Sequence, residues 1–415
     1  MDEDFEDYED YLEEDLRGEL ELAQISLDRG ENESALTLAE EYLETSPLDV
    51  EALNICAVAA SNLGDDSKAM ALYQKALRFE PKNGALHHNY GVLLERLGEY
   101  PEALVHFYRC LELQPDFPEA YINIGNTLDE LGRTEEALQM YDQALRRVPD
   151  APDVYFNRGY ALNRLGRFEE AIESFGQALT FEPGDAACLN GIGYALSGLG
   201  RESEAVEKYN AAITRDPLVP NYYYNRAMSL YRLGQPEAAL PDLDTALTRD
   251  SVFYEACIEK GSILIELERL DEALQVFDDA LRIDPLSAEP AFYRGVIQER
   301  KGNLPEALAA LEESLRLDPD SVYALNNKGN ILIDLGRLDE ALHCFDLILE
   351  RTDSYPLAYY NRACVFALRG KVREAVQALG QAAAQDAHFL EDAMQDPDFD
   401  RVRDSRTFLK LIGGS

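Results

Sequence analysis

The sequence has no tryptophan, five histidines, six cysteines in 415 residues, and nine lysines set against 79 acidic side chains. Each shortage excludes something. No two cysteines form a CxxC pair, and six in a chain this long do not make a disulfide framework, so a reducing cytoplasm is the expected setting. A net charge of −41 opposes capture of nucleic acid, which needs Lys and Arg to neutralise phosphates, and it opposes docking on an anionic membrane. No run of eighteen apolar residues is present, so no membrane-spanning helix is expected. The opening residues Met1-Asp2-Glu3-Asp4-Phe5 are the electrostatic opposite of a signal peptide.

What the chain has in abundance is a period. Prolines fall every thirty-four residues at Pro47, Pro81, Pro115, Pro149, Pro183 and Pro217, skip Ser251, and resume at Pro285 and Pro319. Alanine holds the same spacing from Ala35 to Ala375 without exception; glycine holds it from Gly30 to Gly370, with Glu268 as its one replacement. No insertion or deletion breaks eleven repeats between Leu16 and Phe389. Such a chain is read as stacked modules, not as the two or three globules its length would otherwise suggest.

Within a repeat the pattern is helix, turn, helix. Tyr121, Ile124, Gly125 and Leu128 mark one apolar helical face. Leu131-Gly132 predicts a left-handed cap, Glu135 and Glu136 suit the dipole of the next helix, and Pro149 closes the repeat. Gly125 and Ala137 predict a close helix crossing with Tyr141 filling the space beside it, and the same set recurs up to Gly329, Ala341 and Phe345. A lone helix pair cannot bury its apolar face, whereas stacked pairs can. Pro241, several residues into a second helix, predicts a kink.

These features resemble the tetratricopeptide repeat (TPR), whose signature is W-x2-L-G-x2-Y…A-x3-F…P. The tryptophan position holds Tyr121, Tyr155, Tyr223, Tyr359 or smaller residues. The resemblance implies an all-α fold: a right-handed α-solenoid superhelix of about eleven helix-turn-helix units, first helices (A) lining a concave groove and second helices (B) outside. The expected organisation is an acidic, disordered tail over residues 1–15, eleven repeats over 16–389 with degenerate ends, and a capping segment over 390–415. In that segment Phe399, Val402, Phe408, Leu409 and Leu411 are expected to fold back on the last pair.

Little chain lies outside the repeats, and no Gly-rich phosphate loop exists, so no catalytic residue, no enzyme activity and no cofactor are expected. His87, His88, His106 and Cys110 share one repeat but lack metal-ligand spacing; no metal site is expected there. Cys56, Cys110, Cys188, Cys257, Cys344 and Cys364 read mostly as small buried packing residues.

The informative feature lies on helix A. Its sixth position holds Asn89, Asn123, Asn157, Asn225, Asn327 and Asn361, and Asn126 and Asn330 follow three residues on in two repeats. An amide carries a donor and an acceptor side by side, which matches a peptide bond. The row resembles the asparagine ladder in the TPR superhelix of O-GlcNAc transferase, without that enzyme's catalytic domain, and the resemblance implies a grip on the backbone of an extended peptide. The alternative is that each amide bonds a neighbouring helix and secures stacking. Gly191, Glu259 and Tyr293 break the row, so a continuous track is expected in repeats three to five. The Lys and Arg that clamp a chaperone's terminal carboxylate are missing from the second and fifth positions, so no such clamp is expected. Glu95, Asp129, Glu130, Glu266 and Glu299 border the groove and favour a basic or neutral ligand over an acidic one.

The expected function is a protein-interaction scaffold holding an extended segment of a partner. Two alternatives stay open: an assembly or oligomerisation protein using its B faces or ends, and a targeting subunit of a separate enzyme such as a glycosyltransferase. The acidity has two readings, a salt-rich cytoplasm or a basic partner. The first fifteen residues, ten of them acidic with Phe5, Tyr8, Tyr11 and Leu12 interleaved, read as a solvated tail; a docking motif or a ligand for the chain's own groove are the sharper alternatives.

Overall fold

Helix breakers recur at fixed places, so helix lengths recur with them. In the computed structural model, which describes residues 18–352 and 354–413, ten A helices from Val50–Asn62 to Pro356–Leu368 each run thirteen residues. Eleven B helices from Asn32–Thr45 to Val372–Gln385 each run fourteen. Residues 18–28 form the A helix of the first repeat, and no strand occurs among the described residues. The acidic run over residues 1–15 lies outside them.

Contacts divide the chain into two compact halves, residues 1–217 and 218–415. In each half an A helix packs on the B helix of its own repeat, and that B helix packs on the next A helix. The core of the N-terminal half runs from Leu20 and Ala23 through Tyr73, Phe107, Tyr141 and Phe175 to Tyr209. That of the C-terminal half runs from Ala227 through Phe277, Leu311 and Phe345 to Leu379 and Phe408.

The turn after helix Pro118–Glu130 shows how a repeat closes. Gly132 takes φ +74°, its N–H meets the Asp129 carbonyl at 2.9 Å, and the Arg133 N–H reaches the Leu128 carbonyl at 2.8 Å. This is the glycine-capped ending in which two orphan carbonyls are satisfied. At the crossing below it, a Cβ on Gly125 would stand 2.5 Å from the Tyr141 ring, which is fully buried. Glycine is required there because the ring of its own B helix occupies the space.

Glu268 replaces the turn glycine and still adopts φ +56°, the one non-glycine residue with positive φ among the described residues. Pro241 does not shorten its helix: Pro236–Arg249 keeps fourteen residues, with Pro241 exposed and the Thr245 hydroxyl bonded to the Pro241 carbonyl at 2.8 Å. After the last pair come helix His388–Gln395, a short 3-10 turn at Pro397–Phe399 and helix Arg406–Leu411. Phe399, Val402 and Phe408 are buried against the last repeat, while Leu409 is exposed.

Candidate functional site

Repeats are numbered here from residue 16, so the third to fifth begin at residues 84, 118 and 152. Four of the sixth-position amides, Asn89, Asn123, Asn157 and Asn361, bond backwards to the preceding repeat. The Asn123 Nδ2 donates to His88 Nε2 at 3.0 Å, and His88 Nδ1 bonds the Asn89 Oδ1 at 3.2 Å. The Asn89 Nδ2 then donates to Asn54 Oδ1 at 3.0 Å. This is a one-way relay across three repeats, and it requires a neutral His88 that donates from Nδ1 and accepts at Nε2. Burial lowers the pKa of His88, which favours that neutral form.

One repeat further, Asn157 Nδ2 donates to Asn126 Oδ1 at 2.9 Å, and the same oxygen accepts the Tyr141 hydroxyl at 2.9 Å. In the C-terminal half Asn361 Nδ2 donates to both Asn326 Oδ1 and Asn330 Oδ1, each at 2.9 Å. Asn225 and Asn327 are half-buried on helices Pro220–Arg232 and Val322–Asp334. The geometry therefore joins Asn89, Asn123, Asn126 and Asn157 to their neighbours in the N-terminal half, and Asn330 and Asn361 in the C-terminal half. Sequence reasoning missed the acceptors at the fifth position, Asn54, His88 and Asn326. Their signal was a spacing of thirty-five residues to the donor amide, one more than the repeat.

The A helices Gly84–Arg96, Pro118–Glu130 and Pro152–Arg164 surround a cavity of about 600 Å³. Three carboxylates line it, Glu95, Asp129 and Glu130, with the amides of Asn126 and Asn157. Tyr100, Tyr141, Phe156 and Tyr160 supply aromatic walls. The Phe156 and Tyr160 rings meet edge to face at 4.8 Å. Burial, then the Glu130 charge, raises the pKa of Glu95, while the Thr127 hydroxyl donating to its Oε1 at 2.8 Å works against the rise. The Tyr141 hydroxyl is pushed up by burial and then by the charges of Asp129, Glu95 and Glu130. Negative charge is thus gathered at one concavity of this half, with Glu95 its most strongly desolvated member.

Bases elsewhere are largely taken by local acids. Arg158 pairs with Asp142 at 2.9 Å and Lys328 with Glu312 at 3.0 Å, each reaching back to the preceding B helix. Arg133 grips Glu136 through two bonds of 2.7 Å at the start of its own helix. Of the other acids expected at the groove, Glu266 accepts the Tyr231 hydroxyl at 2.7 Å, and Glu299 has a pKa raised by burial and then by Asp334.

The histidine cluster is a hydrogen-bonded pair with His88 beside it. His87 and His106 meet Nδ1 to Nδ1 at 2.9 Å, and burial pushes His106 down to about 4. Cys110 is buried and its thiol is pushed up to about 11 by burial. The group of described side chains that comes within ion-sharing distance is instead Cys364, Asp396 and Asp398. There the Cys364 thiol and the Tyr360 hydroxyl both point their hydrogens at Asp396 Oδ2, and burial keeps the thiol protonated, a poor ligand state.

The tetratricopeptide-repeat family models match residues 20–84, 83–150, 122–186, 164–220, 224–288, 258–322, 294–356 and 326–389. The chain belongs to the tetratricopeptide repeat family. A TPR protein from Parabacteroides merdae is 22% identical, over 64% of this chain and 98% of its own, with a TM-score of 0.50, a likeness that shows the fold. YrrB, described as a TPR protein with an unusual peptide-binding site, is 26% identical over 45% of this chain and 97% of its own, with a TM-score of 0.40. Yeast Tom70 is 14% identical over 97% of this chain and all of its own, with a TM-score of 0.44. No curated protein matches the sequence. As a TPR array the chain is an α-solenoid of helix-turn-helix units and a protein-interaction scaffold. No helix among the described residues is long and apolar enough to cross a membrane.

Proposed function

We propose that the A-helix face of the N-terminal half holds an extended segment of a partner protein by its backbone, in the third to fifth repeats. The observation that carries this reading is how much of the Asn123, Asn126 and Asn157 amides their neighbours leave unused. The carbonyl oxygens of Asn123 and Asn157 and the Nδ2 of Asn126 make no hydrogen bond among the described residues. Acceptors and a donor are therefore left along a line of amides already fixed in orientation by their neighbours, which lowers the cost of ordering them on binding. The row amides of the C-terminal half, Asn225, Asn327, Asn330 and Asn361, are the supporting positions.

The partner is proposed to be basic or neutral, since Glu95, Asp129 and Glu130 gather at the same face. The second and fifth positions there carry Ala85, Glu119, Asp153, His88 and Phe156, a set that disfavours a clamp for a terminal carboxylate. Six free, buried cysteines support a cytoplasmic setting, and the scaffold is proposed to act without catalysis of its own. The test uses the full chain and the partner captured from the native cell. Replacing Asn89, Asn123 and Asn157 by Ala together should weaken that partner by a larger free energy than the triple variant loses in unfolding free energy. Equal losses would assign the amides to stacking alone.

A further inference from the structure

The cavity between the third and fifth repeats holds three carboxylates and one neighbouring base. That base is Arg164, whose Nη1 bonds Asp129 Oδ2 at 3.1 Å and the Asp129 backbone carbonyl at 3.3 Å. The second carboxylate oxygen, Asp129 Oδ1, is buried and has no hydrogen-bond partner. Leaving a buried acceptor unsatisfied costs on the order of 1–3 kcal/mol, and a turn of the Asp129 side chain, itself 17% exposed, is what would bring this atom to an N–H from outside the chain. Thr127 occupies only one oxygen of Glu95. Beside these acceptors stand the rings of Phe156 and Tyr160, whose faces attract a cation.

We propose that this cavity receives the side chain of an arginine from the extended partner segment, the guanidinium meeting Asp129 and Glu95 and its stem lying along Phe156 and Tyr160. This rests on the binding reading of the same face and names the residue that reading would select. Arginine fits better than lysine. Its planar fork presents five donors to several carboxylate oxygens at once and stacks on aromatic rings, whereas an ammonium is a compact, strongly hydrated point charge. Six repeats further on, the equivalent positions hold Ile333 for Asp129 and Cys364 for Tyr160, so the same register there lacks both the unpaired carboxylate and the ring.

The test measures fluorescence anisotropy of labelled peptides on the full chain at low salt. The probe is Ser-Gly-Ser-Ala-Arg-Ala-Ser-Gly-Ser, compared with versions carrying citrulline or lysine at the centre, and with free arginine amide as competitor. Citrulline keeps the shape of arginine and removes its charge. The arginine peptide should bind about tenfold or more tighter than the citrulline peptide, as charge-assisted bonds to a carboxylate require. Asp129→Asn and Glu95→Gln should each shrink the ratio of arginine-peptide to citrulline-peptide affinity, read on variants whose circular-dichroism spectra match that of the parent chain.

Equal binding of arginine and citrulline peptides overturns the arginine pocket and leaves the backbone reading standing. No binding of any peptide at millimolar concentration overturns both. A preference that survives Asp129→Asn with Glu95→Gln, a lysine peptide as tight as the arginine one, or arginine amide competing as well as the peptide also overturns the proposal.

Discussion

Asn157 and Asn361 stand at the same place in their repeats, six repeats apart, and are held differently. Asn157 is half-buried and donates to one acceptor, Asn126, at the edge of the acidic cavity. Asn361 is 8% exposed and donates to two amide oxygens of the preceding repeat. Asn157 lines its cavity with Asp129, Phe156 and Tyr160; the equivalent register positions near Asn361 hold Ile333, Tyr360 and Cys364. The C-terminal cap then takes up that second set, with Asp396 accepting from Tyr360 at 2.7 Å and from Cys364 at 3.7 Å. One amide at one register position is thus part of a cavity lining in one half and part of a sealed joint in the other. The acceptors on the preceding A helix, one for Asn157 and two for Asn361, separate the two cases.

The largest effect that could break this contrast is on stability. Asn361→Ala leaves the buried Asn326 and half-buried Asn330 amides without their donor, and should cost about 2–6 kcal/mol at about 1–3 per unsatisfied group. Asn157→Ala should cost about 1 kcal/mol. Urea unfolding of the two variants checks this, and equal losses would mean that burial does not separate the two sites.

Tyr360→Phe comes next. It removes one donor to a carboxylate, worth roughly 1.5–3 kcal/mol, and should speed amide exchange over residues 388–411 while leaving residues 84–164 unchanged. Exchange that does not change in the cap would detach Asp396 from its assigned role.

A smaller effect is expected at the turns. Every turn from helix A to helix B in the N-terminal half uses glycine, whereas Glu268 in the C-terminal half carries a side chain at φ +56°. Glu268→Gly should gain about 1 kcal/mol by relieving that conformation, less whatever its contact with Arg300 at 3.1 Å contributes. A melting point that falls would show that the ion pair stabilises the turn by more than the backbone conformation costs it.

The finest probe is pH. His87, His88 and His106 lie in the N-terminal half, and burial lowers the pKa of each. An unfolded imidazole titrates near about 6.5, so the unfolded chain takes up protons first as pH falls. The stability these neutral rings contribute is complete above that value and is lost as pH drops through the folded pKa, which for His106 is about 4. Glu95 has the opposite sign: its raised pKa penalises the charged form, so its protonation on acidification stabilises the fold. His88→Gln can keep both relay bonds and cannot titrate, so urea midpoints between pH 7 and 5 should fall less steeply in that variant. An unchanged slope would sink the relay as an acid-sensitive element.

Much of the architecture was legible because it follows local rules repeated eleven times. Gly132 reads as a cap and Gly125 beside Tyr141 as a crossing from a single repeat, and each structural reason lies within a few turns of chain. The amide relay was less legible because its acceptors belong to the previous repeat, one position out of step with the donors. The cavity was visible only as scattered acids. What makes it a site is that Asp129, from one repeat, and Tyr160, from the next, converge while one carboxylate oxygen stays unpaired, and no one-repeat pattern contains that. Glu268 is the reverse case: an exception in a glycine series is legible at once, and its strained backbone followed.

Constant helix lengths carry a consequence for how this gene product can change. Because ten A helices have thirteen residues and eleven B helices fourteen, a cut within these repeats can be rejoined to its counterpart in another repeat without changing the length of a helix. Recombination can therefore add or excise whole modules between the acidic cavity and the sealed joint, resetting the length of chain between them in steps of one repeat and leaving no scar.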